Sequence, residues 1–294
     1  MHIDGLLRYH FERLGTRKML AIPLAVLLMA LAVLGANTLI TGSPITLGYE
    51  FVGGTVISFV SEQTPAELMA EFSEYGPVDA RAFGERKLME FPPLDRETTE
   101  KLRADISAKY SDVSISFTSP VYGRELQLQA VKGVLVAFLG MAVLVFLFFR
   151  TFVPSLAVVL SAFSDIVIAA ALMDVAGIKL SLATVAALLM LIGYSVDSDI
   201  LLTERVLKRK GELSEKIVKA MGTGLTMTIT SLCAVLVLFI VSSYSYVFAS
   251  TFSRIDILAD IAVVLAFGLL ADIMNTWMLN AAILKWYVQR RGRR

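Results

Sequence analysis

The sequence predicts a polytopic α-helical membrane protein with six transmembrane helices and one small α+β domain, of ferredoxin-like βαββαβ order, outside the bilayer. Three observations predict it. Hydrophobic residues make up 56% of the chain against 18% charged, and the mean hydropathy of +0.70 lies far above that of a soluble domain. The apolar residues gather into six windows of about 20 residues, the length a helix needs to cross a bilayer core of about 30 Å. Residues 41–129 break this pattern, with Glu, Asp, Lys, Arg and Pro throughout, as in a soluble domain.

The first window, 19–40, follows an N-terminal segment, 1–18, that carries Arg8, Arg13, Arg17 and Lys18. It has no small-residue cleavage site and reads as a retained span rather than a cleaved leader. The other windows are 130–149, 152–173, 181–202, 225–242 and 257–284, so spans two to six occupy 130–284. An even number of spans puts both termini on one side. Arg205, Lys208, Arg209, Lys210, Lys216 and Lys219 in the loop 205–219, with Lys285, Arg290, Arg291, Arg293 and Arg294 in the tail 285–294, share that side with the N-terminal basic residues. The opposite short loops carry little more than Lys179 and Arg254. The positive-inside rule therefore predicts a multi-pass protein of the cytoplasmic membrane with cytoplasmic termini and an extracytoplasmic domain at 41–129. With a net charge of +1 and basic residues distributed by topology, no patch for nucleic acid is expected.

Within that domain, Thr55–Val60 is rich in β-formers, and Thr64-Pro65 with Glu67 is a helix-start signal. Strands follow around Val78–Phe83 and Leu88–Phe91, then a helix over Arg96–Tyr110 and an alternating strand at Val113–Phe117. This is the split-βαβ order. Gly53 and Gly54, after Glu50-Phe51-Val52, mark a turn or bulge where the chain enters the sheet.

Enzyme chemistry is not expected. The only histidines, His2 and His10, lie in the N-terminal segment, and the single Cys233 can form neither an intrachain disulfide nor a multi-cysteine metal site. No metal or cofactor is predicted. The polar residues inside the spans carry the information instead. Gly193-Tyr194-Ser195-Val196-Asp197-Ser198-Asp199-Ile200 places two carboxylates in an apolar run. Asp197 lies about 24 Å along a helix starting near Ser181, at about 1.5 Å per residue. A central carboxylate costs roughly 2.5–3.5 kcal/mol in a bilayer and survives only where protein, water or a proton compensates it, which points to function; the competing explanation, stronger for Asp199, is a hydrated helix end. Asp165, Asp260 and Asp272 also sit in or near apolar runs.

Asp272, Asn275, Thr276 and Asn280 follow helical spacing and are expected to share one inward face. Thr223, Thr226 and Thr230 in span five, with Ser161, Ser164 and Asp165 in span three, are expected to complete a polar lining. For the threonines, interhelical hydrogen bonds of about 0.6 kcal/mol per pair are the better account.

Taken together, these motifs resemble the SecF family of protein-export membrane proteins, within the resistance-nodulation-division superfamily. Gly48-Tyr49-Glu50-Phe51-Val52-Gly53-Gly54-Thr55 resembles the family's G-x-D/E-F-x-G-G-T after the first span. Ser164-Asp165-Ile166-Val167 resembles its third-span H-D-V. Thr184 through Gly193, Tyr194 and Ser195 resembles the fourth-span T-x-x-A-A-L-L-x-x-I-G-Y-S, and the likeness continues through Asp197, Glu204 and Arg205 to Thr228, Ile229 and Thr230. The resemblance implies half of the superfamily's membrane domain. It also implies a SecD-like partner, work beside the SecY channel on translocating polypeptide within membrane lipid, and proton flux as the driving force. Asp197 matches the carboxylate of the SecD-like V-D-x-N-V-L-I-x-E-R and is the first choice for proton handling. Three positions depart from many bacterial members: Asp197-Ser198-Asp199 replaces N-D-T, Met227 stands where they carry arginine, and Ser164 where they carry histidine. The pattern is closer to archaeal members, which work without a SecA motor. A small-molecule or lipid exporter of the same superfamily is the alternative, and a scaffold for the channel a third reading. Six spans are half the exporters' usual twelve, and the external domain is too small to enclose a large substrate alone.

Overall fold

The computed structural model describes residues 15–83, 85–248 and 256–291; His2, Arg8, His10, Arg13, Arg254, Arg293 and Arg294 lie outside them. The chain opens with α1 (Thr16–Thr41), which ends at Gly42 in the left-handed conformation, and passes through a short α2 (Tyr49–Val52) into β1 (Gly54–Val60). Helix α3 (Pro65–Glu71) starts in a capping box: the Thr64 hydroxyl accepts the Glu67 N–H at 3.4 Å, and the Glu67 carboxylate accepts the Thr64 N–H at 2.7 Å. Strands β2 (Asp79–Phe83) and β3 (Arg86–Phe91) follow, then α4 (Arg96–Lys109), capped by Asp95, and β4 (Ser111–Thr118).

The sheet is antiparallel, in the order β2-β3-β1-β4, the ferredoxin-like arrangement that the element order predicts. Ile57, Phe59, Met89 and Phe91 point from the strands to one face, where they bury Leu68, Phe72, Leu102 and Ile106. The Phe59 and Tyr110 rings stack over this core at 4.5 Å.

The membrane part continues with α5 (Pro120–Phe149), α6 (Phe152–Val175), α7 (Leu182–Lys208) and α8 (Leu213–Phe248). The last crossing is α9 (Asp256–Met274), a π-helical turn (Asn275–Asn280) and α10 (Ala281–Arg291) in one run. Among the described residues, six helices are long and apolar enough to cross a membrane. Several extend beyond their apolar windows. Helix α5 starts at Pro120 rather than at 130, with the Ser119 hydroxyl accepting the Tyr122 N–H, and α8 starts at Leu213 rather than at 225. Hydropathy marks the part a bilayer would hold, whereas a helix continues as long as its caps and propensity allow. The loop expected over 205–219 is therefore mostly helix, and only 209–212 connect α7 to α8.

Helices α6 and α7 are the most buried and α5 the least. At the domain end, Met173, Leu188, Leu191, Val264 and Leu269 form one apolar cluster. At the far end, Leu202, Val206, Ile217, Trp277 and Ala281 form another. Glycines permit the closest approaches: a Cβ at Gly268 would lie 2.3 Å from Leu191 and one at Gly224 2.3 Å from the Trp277 ring.

The Glu50–Thr55 segment joins the domain to the bundle. The Glu50 carboxylate accepts the Leu182 N–H at 2.6 Å, supplying an anionic cap to the first turn of α7. Gly48 donates to the Leu180 carbonyl at 2.8 Å, and Leu180 donates to that of Thr46 at 2.7 Å. From α5, the Gln127 amide donates to the Phe51 carbonyl at 2.7 Å. Gly53 and Gly54 have φ of +86° and +153°, and a Cβ on them would fall 2.7 Å from the Pro120 nitrogen and 2.6 Å from the Phe91 carbonyl oxygen. On the other side of the joint, Asp174 accepts from Asn37 at 3.1 Å and from the Thr46 N–H at 2.9 Å, tying α6 to the end of α1. Lys179, between α6 and α7, pairs with Asp79 at 3.0 Å and Glu90 at 2.6 Å on the sheet.

Replacing Gly53 or Gly54 with Val introduces both a clash and a φ penalty of about 1–3 kcal/mol. The expected outcome is a displaced domain on a normally inserted chain, seen as new cleavage sites in limited proteolysis of intact vesicles. A wild-type digestion pattern would show the pair to be a permissive turn.

The Lys179 clasp should depend on pH. Burial pushes the Asp79 carboxyl up, but Lys179 and then Arg81 more than offset it and hold it below its usual range. A carboxylate depressed on folding contributes fully above its unfolded value, about 3.9, and its contribution is lost as pH falls through the lower folded value. Lys179→Ala should therefore loosen the domain at neutral pH, read by protease access. The wild type should approach the same pattern only in strong acid; equal access for both at pH 7 would discount the clasp.

Candidate functional site

Between the two apolar clusters of the bundle lies a layer of buried polar side chains. Helix α6 contributes Ser161 and Asp165, one turn apart; α7 contributes Ser195, Ser198 and Asp199; α8 contributes Thr228; the last crossing contributes Asp272, Asn275, Thr276 and Asn280. All are buried. Spacings of three and four residues set each group on one helix face, and all these faces converge.

Asp165 accepts from the Ser195 hydroxyl and, at 2.6 Å, from the Asn275 amide, joining α6, α7 and the last crossing. Asp272 lies 2.8 Å from the Ser198 hydroxyl, accepts from Thr276 at 2.9 Å and meets Thr228 at 3.4 Å. Asp199 accepts from the Asn280 amide at 2.7 Å through one oxygen, while its other oxygen has no partner among the described residues. The amide oxygens of Asn275 and Asn280 and the hydroxyls of Ser161 and Ser164 are likewise buried and unpaired.

The π turn aligns this crossing. Eight residues of α-helix rotate about 80° past two full turns, whereas a turn that absorbs one extra residue brings Asn280 within about 20° of Asp272. The sequence carries no signal for this turn.

Asp199 is thus an interior residue rather than a hydrated helix end. Asp197 is not part of the layer. Two residues along an α-helix are about 200° apart, so a helix that buries Ser195 and Asp199 must turn Asp197 outward. It is exposed, on a stripe with Gly193 and the 47%-exposed Tyr194. Glu204 and Arg205 lie further along α7, away from the domain. Glu204 approaches Lys208 at 4.0 Å, and Arg205 donates to the Lys219 carbonyl at 2.7 Å and to Thr223 at 3.0 Å. Glu50, Gly53 and Gly54 belong to the domain joint, and Asp260 lines a cleft beside Glu50 and Lys179.

The span-five threonines depart from expectation. Thr226 and Thr230 are exposed and donate to the carbonyls of Gly222 and Thr226, one turn back on their own helix. The inward face of α8 runs through Gly224 and Thr228, because Gly224 lets Trp277 pack against it. Glu50 as a cap for α7, and Lys179 and Asp174 as clasps, went unseen in the sequence, since each acts across 89 residues or more.

Chemically, the layer holds three carboxylates on neutral hydroxyl and amide donors. Among the described residues no cationic side chain pairs with any of them, and no three ligating side chains stand close enough to share a metal ion. The groups can gain or lose a proton and keep a hydrogen-bonding partner in either state.

Removing an acceptor from this layer should weaken the bundle. Asp165→Ala strands the Ser195 and Asn275 donors, at about 0.6–1.7 kcal/mol each. Thermal unfolding of the full chain in detergent should show the loss, with Asp165→Asn milder and Asp197→Ala neutral. An equal loss for Asp197→Ala would contradict the division between inward and outward carboxylates.

Comparison with known proteins agrees with this architecture. The family described as protein export membrane protein SecD/SecF, C-terminal, matches residues 98–290. Protein-export membrane protein SecF of Methanolacinia petrolearia is 44% identical over 289 residues, 98% of this chain and 100% of that one. SecF of Haloferax volcanii is 47% identical over 278 residues, 94% of each chain. Among solved structures, SecDF of Thermus thermophilus, a translocon-associated membrane protein, superposes with a TM-score of 0.72 at 22% identity; the match covers 93% of this chain and 38% of that longer one. Identity above 40% to archaeal relatives along nearly the whole length, with the family match over most of it, shows that the chain belongs to the SecF family of protein-export membrane proteins.

Proposed function

We propose that the chain is an accessory subunit of the protein-export machinery that acts with a SecD-like partner, beside the SecY channel, to promote polypeptide translocation across the cytoplasmic membrane. It has no enzymatic step of its own. Its termini face the cytoplasm and its sheet domain the opposite side, in keeping with the distribution of basic residues. The observation that carries the partner is the outward carboxylate: Asp197 sits along a membrane-length helix on a face that nothing among the described residues covers. Against lipid it would cost roughly 2.5–3.5 kcal/mol, and a second membrane domain packed on the Gly193–Tyr194–Asp197 stripe removes that cost. The fold supports the same reading, since it matches 38% of a longer chain, the SecDF of Thermus thermophilus.

In this reading α7 carries proton handling on both faces. Asp197 exchanges protons at the interface with the partner, while Asp165, Asp199 and Asp272 form the inner relay and the Asn275 amide holds Asp165 in place. Because the N-terminus of α7 is held by Glu50 and the adjoining loop by the sheet, a shift of α7 moves the domain.

Co-purification from native membranes in mild detergent should recover SecD-like and SecY-like subunits with the chain; a homo-oligomer with bound lipid would favour the exporter reading instead. Asp197→Asn, which hydrogen-bonds but does not titrate near neutral pH, should leave insertion intact and reduce export to the level of cells lacking the chain. Undiminished export would remove Asp197 from the mechanism.

A further inference from the structure

The two edges of the sheet are treated differently. Edge strand β2 is five residues long, carries the Asp79–Arg81 ion pair at 3.0 Å and is clasped by Lys179. Edge strand β4 is eight residues long and, among the described residues, pairs only with β1. Its one charge, Asp112, is engaged by Arg86 at the start of the strand; residues 113–118, Val-Ser-Ile-Ser-Phe-Thr, contain neither charge nor proline. Natural sheets blunt exposed edges with such residues, so an unguarded edge of this length is a template for another strand.

Beside it, between β4 and α4, lies a groove of about 510 Å³. Val113, Ile115 and Phe117 form its floor, and Phe117 is 54% exposed. Arg96, Arg103 and Glu100 line its rim, and neither arginine is in an ion pair among the described residues. The rim therefore has one positive charge in excess.

We infer that β4 accepts, by strand addition, an extended segment of polypeptide in transit, apolar at alternate positions and acidic at its flanks. Strand addition is held by main-chain hydrogen bonds and so tolerates many sequences, as a client of export requires; apolar side chains of the segment enter the groove, and its acidic residues meet Arg96 and Arg103. Thr118 leads through Ser119 directly into α5, so a bound segment lies along the path between domain and bundle. The inference rests on the export reading above.

The test uses the full chain in its native membrane, with an export substrate arrested midway by a tightly folded fusion. p-Benzoylphenylalanine replaces Phe117 or, on the guarded edge, Val78. The expected result is cross-linking to the arrested polypeptide from 117 at least about fivefold above that from 78, the weight of about one net hydrogen bond. Ile115→Lys should abolish the excess. Should that variant unfold the domain, Arg96→Glu with Arg103→Glu, both on the exposed surface of α4, should reduce it for a substrate with acidic flanks. Equal yields from 117 and 78, or cross-links from 117 into another membrane subunit, would overturn strand addition. Export measured in the same cells separates the two readings: with export dependent on the chain, equal yields sink strand addition alone, whereas export indifferent to the chain sinks both.

Discussion

An aspartate in a membrane bundle has to be met by something, and three of them in one layer dictate how the helices of this protein are arranged. Asp165 draws α6, α7 and the last crossing together through Ser195 and Asn275. Asp272 adds α8 through Thr228, and Asp199 binds the far side of the π turn through Asn280. Apolar packing cannot choose such a register, because lipid tails are as apolar as leucine; directional hydrogen bonds and close glycine contacts do. The two apolar clusters above and below then keep the layer out of reach of both membrane surfaces.

Helix α7 links this layer to the domain. Its interior face carries Ser195, Ser198 and Asp199, and its first turn is capped by Glu50 from the strand-entry segment. The preceding loop is bonded to Thr46 and Gly48 and clasped to the sheet by Lys179. Packed cores shift between discrete arrangements rather than bending continuously. A change in how α7 seats in the polar layer would therefore reach the base of the sheet along one helix, from Ser195 to the capped turn at Leu182.

Much of this was legible in the sequence, for physical reasons that also explain what was not. Hydrophobic windows located the six crossings, and alternation with a capping signal at Thr64–Glu67 gave the order of the small domain, because both depend on local chemistry. The inward face of Asp272, Asn275 and Thr276 followed from helical spacing. The direction of α8 did not: three threonines at helical spacing resemble an inward stripe, yet Gly224 and Trp277 decide which face packs, and that pairing spans more than 50 residues. The joint was equally hidden. A glutamate followed by two glycines suggests a turn, and nothing local reveals that the carboxylate caps a helix 132 residues away.

The opposed carboxylates of α7 give the fold its asymmetry. A single inward aspartate would suit a self-contained bundle, and a single outward one would suit a passive interface. Here Asp199 is met inside by Asn280, while Asp197 points to whatever covers the other face. Met227, which stands where many bacterial relatives carry arginine, is 46% exposed on α8 and supplies no charge to compensate Asp197 from within the chain. Ser164, where those relatives carry histidine, is buried beside Asp165 with its hydroxyl unpaired. Both departures remove a cation or a titrating imidazole and leave carboxylates served by neutral donors. With no cation among the described residues paired to it, an outward aspartate on a membrane helix is costly against lipid, and that cost is the ground for the proposed partner interface.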